Sequence, residues 1–486
     1  MHTDRLDNYQ PVPGTVELTP IYAILPPLVY LLALILLPPL NTSSRLIKWT
    51  VAVIRNILAL LATILFLALP LHYHVRDISS LTYLLSLIGC FGACRIVDIF
   101  FINAHNTPRR IQRKYLQPHM IGGEFDSPIA PSSPSVPIDK QPEGVRQRIK
   151  KEDPLLNSVL KANAALDKTI QVEGDVLYQK SRGEVMPIEG YNLKDRILWA
   201  IDLEIAMRGV GWDFTTADIR HGKMTWLPTA QSRIRAVLFK DTPMVMGSWY
   251  IITYIYNNST GSHEDLPLYL SAPLTLAHGV LLFSLFALAY DATAAACAPL
   301  GAAIGQYSTH NLAYWPPLNS LDLLKVCSVR SFWSRSWHRL FARMFLIYGV
   351  KPGQWIERKI LGENSKIDPS YDVGKVLGAF FQSGMVHGLG CWAINGGDWR
   401  FFFGEWRFFA ANGLAVVVEE LFRRLVRKIS PEPKWYDRIV GIIWTLFVLI
   451  YAGNWFTRGW WHGGLIRELT QPSTILNNFL SQVSPF

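Results

Sequence analysis

The stretch Phe380–Gly390, FFQSGMVHGLG, holds His387 near the middle of an otherwise apolar run. Read as a helix, it puts Ser383 one turn before the histidine and Cys391 one turn after it, on one face. Gly384 and Gly388 are four apart, a spacing that lets another helix approach closely. An ionisable side chain inside a span is expensive and is kept where it faces a cavity or a partner. Burial favours the neutral form of a histidine, and a neutral imidazole accepts a proton from a hydroxyl. The chemistry on offer is therefore general-base activation of an alcohol. The alternative is a hydrogen-bonded structural histidine that packs helices together. Cys391 reads either as a nucleophile paired with His387 or as a small buried apolar residue, the commoner fate of such a cysteine.

A second candidate is Ser328–Tyr348, SVRSFWSRSWHRLFARMFLIY. Phe332, Trp333, Trp337, Phe341 and Phe345 form an aromatic stripe at helical spacing, with Arg330, Arg335, Arg339 and Arg343 between them. The segment is too charged to cross a bilayer and too aromatic to be simply solvated. It is expected at the cytosolic interface or dipping into it. Arginines there can meet the phosphates of a nucleotide-bearing donor. For any single one, lipid headgroup contact is the simpler reading. His338 is the uncharged titratable group of the stripe.

Other residues carry less. Arg208-Gly209-Val210-Gly211-Trp212 reads as a tight turn where backbone approaches something closely. His72 and His74 read as loop residues. Arg95 and Asp98, three apart, read as a pair on one helix. His278 has no chemical neighbour in sequence. The five cysteines lack disulfide or zinc spacing, and no metal site is expected.

These residues need a scaffold, and the scaffold is a membrane. Half of the 486 residues are hydrophobic and only 17% are charged, below the roughly 25% of a soluble domain. The apolar residues come in blocks. About 20 of them cross a bilayer as a helix, and eight stretches qualify in an all-α, polytopic fold: Ile21–Leu40, Trp49–Leu71, Leu81–Asn103, Met244–Tyr256, Ser271–Tyr290, Val373–Ile394, Phe401–Val418 and Ile439–Phe456. Glu405 and Arg407 make the seventh a poor span. Leu193–Met207 reads as an amphipathic helix on the membrane surface. Ile129–Asp139 is Pro/Ser-rich, with little to bury. The expected organisation is a three-span region over 1–103, a flexible cytosolic loop over 104–190, a second membrane core over 191–465 and a tail over 466–486.

Eight spans divide the loops between two sides. One side collects Arg45, Lys48, Arg109, Arg110, Arg113, Lys114, the basic run from Lys325 to Arg343, and Arg423, Arg424, Arg427 and Lys428. The positive-inside rule makes that side cytosolic. Asn258-Ser259-Thr260, a glycosylation sequon, then falls in the lumen. The net charge of +10 resides in loops of this kind, and no basic folded face points to nucleic acid.

FWSRSWHRLF at Phe332–Phe341 followed by FFQSGMVHGLG at Phe380–Gly390 resembles the wax-synthase-like branch of the membrane-bound O-acyltransferases. RGVGW resembles a motif of that branch's fungal members, and the similarity covers roughly residues 190–465. The resemblance implies a helical membrane fold with a tunnel, an acyl-CoA entering from the cytosolic side and an alcohol as acceptor. It implies His387 as the catalytic residue and His338 as a second polar group: another base, a hydrogen-bond donor or a positioner. Plant wax synthases resemble this with Asn where His338 stands. Arg335 and Arg339, with Trp333 and Trp337, are the implied contacts of the donor. Fungal relatives include O-acetyltransferases of hydroxylated terpenoids and meroterpenoids. The expected donor is accordingly acetyl-CoA, and the expected acceptor a hydrophobic alcohol, in an endoplasmic reticulum membrane. A long-chain wax or sterol ester synthase is the rival enzyme. The rival of another class is a transporter or lipid-binding protein, but the internal repeat common in transporters is missing. A DDxxD run for metal-bound diphosphate is also missing, which weighs against a prenyltransferase or a membrane terpene cyclase.

Overall fold

Inside a bilayer each backbone N–H and C=O must find its partner within the protein, which leaves the helix as the way to use apolar blocks. The computed structural model describes residues 9–110, 192–206, 208–215, 229–259, 262–304, 312, 315–319, 326–362, 372–429 and 435–471. Ile129–Asp139, most of the 104–190 loop, Thr260 of the sequon and residues 472–486 lie outside them.

The N-terminal region is built from α1 (Pro20–Ile35), α2 (Arg45–His72) and α3 (Ser79–Val97). Two short strands, β1 (Val16–Glu17) and β2 (Tyr73–His74), pair in parallel, Val16 opposite Tyr73. Asn192 caps α4 (Leu193–Ile205) by accepting from the Asp195 amide, and the Asp195 carboxylate returns the bond. This is the expected amphipathic helix. Trp199, Ala200 and Leu203 are buried with the core of α1–α3, while Leu193 and Ile205 stay exposed. Arg196 of α4 donates to the carbonyls of Ile35, Pro38 and Pro39, groups left open where α1 ends.

The larger region follows: α5 (Ala230–Ala236), α6 (Thr242–Asn258), α7 (Leu268–Ile304), a broken segment from Val329 to Val350, α8 (Lys351–Leu361), α9 (Val373–Ile394), α10 (Trp399–Ile429), α11 (Trp435–His462) and α12 (Leu465–Thr470). Each of the eight stretches read from hydropathy overlaps a helix, although α1 stops at Ile35, short of the expected Leu40. Among the described residues, five helices are long and apolar enough to cross a membrane: Arg45–His72, Ser79–Ile102, Leu268–Cys297, Trp399–Val426 and Tyr436–His462. The 22 residues of α9 reach about 33 Å at 1.5 Å each, but Gln382, His387 and several glycines dilute its hydropathy.

α9 is the centre of the bundle. It packs against α10, α8 and α3, while α11 packs against both α10 and α7. Gly396 and Gly397, at φ +64° and +80°, make the tight turn from α9 into α10. The Glu468 carboxylate of α12 accepts from the Ser79 and Ser80 amides and so caps the N-terminus of α3.

The structure corrects the expected pairing of Arg95 with Asp98. From Asp98 to Ile102 the helix widens into a π-turn, and Asp98 meets Arg343 of the broken segment at 2.7 and 3.0 Å. Arg95 instead donates to the Tyr30 hydroxyl and the Leu203 carbonyl. Both partners are tertiary, and together they override the local spacing.

Candidate active site

The glycines of α9 decide what reaches His387. A Cβ on Gly384 would lie 2.8 Å from the Trp406 side chain, and one on Gly388 would lie 2.9 Å from the Phe402 carbonyl. These two glycines are where α10 closes on α9. Gly390 leaves room for the Tyr83 ring of α3, which a Cβ would meet at 2.9 Å. Two helices thus converge on this part of α9, and each brings a side chain to the histidine: Tyr83 from α3 and Phe409 from α10.

His387 is half-buried, and its ring stacks on Phe409 with centroids 4.8 Å apart. Phe456 lines a second side at 6.2 Å. Its Nδ1 is 2.9 Å from the Tyr83 hydroxyl. That hydroxyl donates to Glu405 Oε2 at 3.0 Å, and Trp460 Nε1 donates to Glu405 Oε1 at 2.8 Å. Glu405 is completely buried. Among the described residues nothing bonds Nε2 of His387, so one ring nitrogen is held and the other is open.

Cys391 is also fully buried. Its sulfur rests where a Cβ of Gly459 would be, and it accepts from Asn395 Nδ2 at 3.5 Å. Among the described residues no hydrogen bond joins it to His387.

The broken segment supplies the second histidine. The aromatic stripe is not one helix. A π-turn over Phe332–Ser336 ends at Trp337, and helix resumes only at Ala342. His338 sits in the break, against Phe286 at 5.2 Å, Trp337 at 5.3 Å and Phe341 at 5.9 Å. Its Nδ1 is buried with no partner among the described residues. Burial, then the positive charge of Arg208, pushes its pKa down to about 4, so the ring is neutral at pH 7. Both imidazoles thus face aromatic rings, His387 against Phe409 and His338 against Trp337.

Trp333 bridges them. It contacts Phe409 at 6.0 Å and Trp337 at 5.5 Å, and its indole N–H donates to Asn412 at 2.9 Å. Trp333 and Trp337 are therefore aromatic wall between the two histidines. Arg330 pairs with Glu420 and Arg343 with Asp98. Arg335 is exposed and Arg339 half-buried. The RGVGW turn holds Gly209 and Gly211 at φ +68° and +80°. It aims Arg208 at the carbonyls of Pro316 and Pro317, at 2.9 and 3.1 Å.

Three residues of the site escaped the sequence. Glu405 stood out there only as a blemish in a span. Tyr83 carries no signal among its apolar neighbours. His278, isolated in sequence, packs against Trp460 at 4.5 Å and bonds Thr457 at 3.2 Å.

The membrane bound O-acyl transferase family matches this chain over residues 315–411. That segment holds both histidines, Trp333, Trp337 and Glu405. Over this segment the chain resembles that family, and it is an O-acyltransferase. It is similar to acetyltransferase ple2 of Rhodocybe pseudopiperita, 26% identical over 58% of this chain and 71% of the relative. It is also similar to O-Mevalon transferase macI of Penicillium terrestre, 23% identical over 46% of this chain and 53% of the relative. Acetyltransferase eriL of Hericium erinaceus is 21% identical over 57% of this chain and 70% of its own length. No solved structure matches the chain. An O-acyltransferase needs an acyl-CoA as donor and an alcohol as acceptor, and this one works as an integral membrane protein.

Proposed function

We propose that this O-acyltransferase moves the acetyl group of acetyl-CoA to a hydroxyl of a hydrophobic terpenoid or meroterpenoid, with His387 as general base. The observation that carries the reading is the open Nε2 of a half-buried histidine inside an aromatic wall. The reaction needs no acyl-enzyme. Nε2 takes the acceptor proton as oxygen attacks the thioester carbonyl, forming a tetrahedral oxyanion. His338, neutral at pH 7, carries one N–H and gives a hydrogen bond to that oxyanion or to the acceptor. The C–S bond then breaks, and the departing thiolate recovers the proton from His387 as free CoA. Arg335 and Arg339 lie on the same segment as His338 and suit the CoA phosphates. Aromatic walls suit a ring-rich apolar acceptor, which the membrane concentrates.

Two of the relatives described above are named acetyltransferases, which supports the short donor. Microsomes holding the enzyme, given hydrophobic alcohols, are expected to show kcat/KM for acetyl-CoA at least about tenfold above that for palmitoyl-CoA. The reverse order identifies a long-chain wax or sterol ester synthase.

The proposed membrane is the endoplasmic reticulum, with Asn258 in the lumen. Asn258 is exposed at the end of α6. A glycosidase-sensitive mass shift that disappears in Asn258→Gln is the expected result. Protease access to the 120–145 loop only after the lumen is opened would reverse this orientation.

A further inference from the structure

We propose that Tyr83 and Glu405 are positioning residues that fix His387 in the one tautomer able to act as base. The inference rests on the general-base reading of His387.

The argument counts protons. The Tyr83 hydroxyl has one, and two acceptors face it: His387 Nδ1 at 2.9 Å and Glu405 Oε2 at 3.0 Å. The state of Glu405 decides which receives it. Trp460 reaches Glu405 Oε1 at 2.8 Å, and an indole nitrogen only donates. Two donors therefore converge on this buried carboxyl: Trp460 N–H and Tyr83 O–H. That set suits a carboxylate, which only accepts. With Glu405 ionised, the phenol proton points to Oε2, and the phenol oxygen is left to accept from His387. Nδ1 must then carry the ring hydrogen, and Nε2 is bare. Bare Nε2 is the open nitrogen described above.

The reverse arrangement has a clear consequence. A protonated or amide side chain at position 405 donates to the Tyr83 oxygen. Tyr83 then donates to Nδ1, and the ring hydrogen moves to Nε2, where it blocks the base. The chain Glu405–Tyr83–His387 also spreads the positive charge formed when Nε2 takes the acceptor proton, because a carboxylate stands at its far end. Each link comes from a different helix: α3, α9 and α10, with α11 supplying Trp460. The first of these, α3, lies outside the segment that matches the family.

Glu405→Gln tests this with little change in volume. Trp460 can only donate, so the amide oxygen must face it and the amide nitrogen must face Tyr83. That geometry enforces the wrong tautomer. The expected result is a fall in kcat of roughly 10²–10⁴-fold, the scale seen when an orienting carboxylate is made an amide. KM for acetyl-CoA should stay within about threefold, since nothing that binds the donor has moved. Tyr83→Phe only removes the hydroxyl, leaves the tautomer unconstrained and is expected to cost about 10–100-fold in kcat. In a Tyr83→Phe background, Glu405→Gln should add less than about threefold, because the link between them is already cut. A purely structural role would instead lower folded yield or multiply the two losses. Wild-type kcat in Glu405→Gln, or losses that multiply in the double variant, overturns the relay. If Glu405→Gln does not fold, Tyr83→Phe decides alone: wild-type kcat there overturns the relay. His387→Gln separates the two layers. An inactive His387→Gln beside fully active Tyr83→Phe and Glu405→Gln removes the relay only. An active His387→Gln removes the base and the relay together.

Discussion

Replacing His387 by glutamine is expected to lower kcat by roughly 10²–10⁴-fold, the usual contribution of a positioned general base. Glutamine keeps a polar group of similar size, so the Tyr83 hydroxyl retains a neighbour, but it supplies no basic nitrogen near neutral pH. The ring is half-buried and bonded to a single residue. Folded yield in detergent should therefore change little, and donor KM should hold. His387→Ala is expected to lose activity to the same degree. A structural histidine would give the opposite pattern, with yield falling and the surviving protein turning over normally. A His387→Gln enzyme that folds and retains wild-type turnover would falsify the mechanism and move the search for a base to His338.

Why one histidine was legible and its partners were not follows from what each residue has to do. A histidine within an apolar run carries its own signal, because burying it is expensive unless it has a use. The long helices were legible for a similar reason: a bilayer leaves the backbone few alternatives. Gly384 and Gly388 announced a close helix by spacing alone, and α10 fills that place. Tyr83 announces nothing, since a tyrosine in a membrane helix is ordinary and its importance comes entirely from Gly390 letting it lie on α9. Glu405 was visible but misread, because hydropathy treats a carboxylate as a defect and cannot see two donors, Tyr83 and Trp460, arriving from other helices. The break at Trp337–Phe341 was hidden as well. It contains no proline or glycine, and neither does the π-turn at Phe332–Ser336 that leads into it. Tertiary bonds such as Arg343 to Asp98 and Trp333 to Asn412 hold that shape, and pairwise spacing along the chain does not reveal them.

Gly353→Ala is expected to destabilise the protein by about 1–3 kcal/mol, the usual cost of forcing atoms into a packed contact, and Gly353→Val to prevent folding. The reason is a crossing of two helical runs through four glycines. A Cβ on Gly353 would lie 2.0 Å from the Gly374 carbonyl oxygen, and one on Gly374 would lie 2.2 Å from that of Gly353. Gly349 and Gly378 repeat the arrangement one turn away, at 2.4 and 2.2 Å. The obstacles are backbone atoms, which cannot swing aside as a side chain can. Any methyl group must therefore push α8 away from α9. Bonds around the crossing resist that movement. Glu357 accepts from the Gly374 amide at 2.9 Å, and Gln354 donates to Asp372, which caps α9. Because α9 carries His387, a displaced crossing also misplaces the base, and a surviving Gly353→Ala enzyme should lose kcat as well as stability. Gly247 provides the contrast. It lies in α6 with no atom within 4 Å of its missing Cβ, so Gly247→Ala should be neutral or gain up to about 1 kcal/mol from better helix propensity. Thermal unfolding of both variants in one detergent, followed by intrinsic tryptophan fluorescence, tests the pair. Equal midpoints for Gly353→Ala and the wild type would show that α8 does not sit against α9 at this distance.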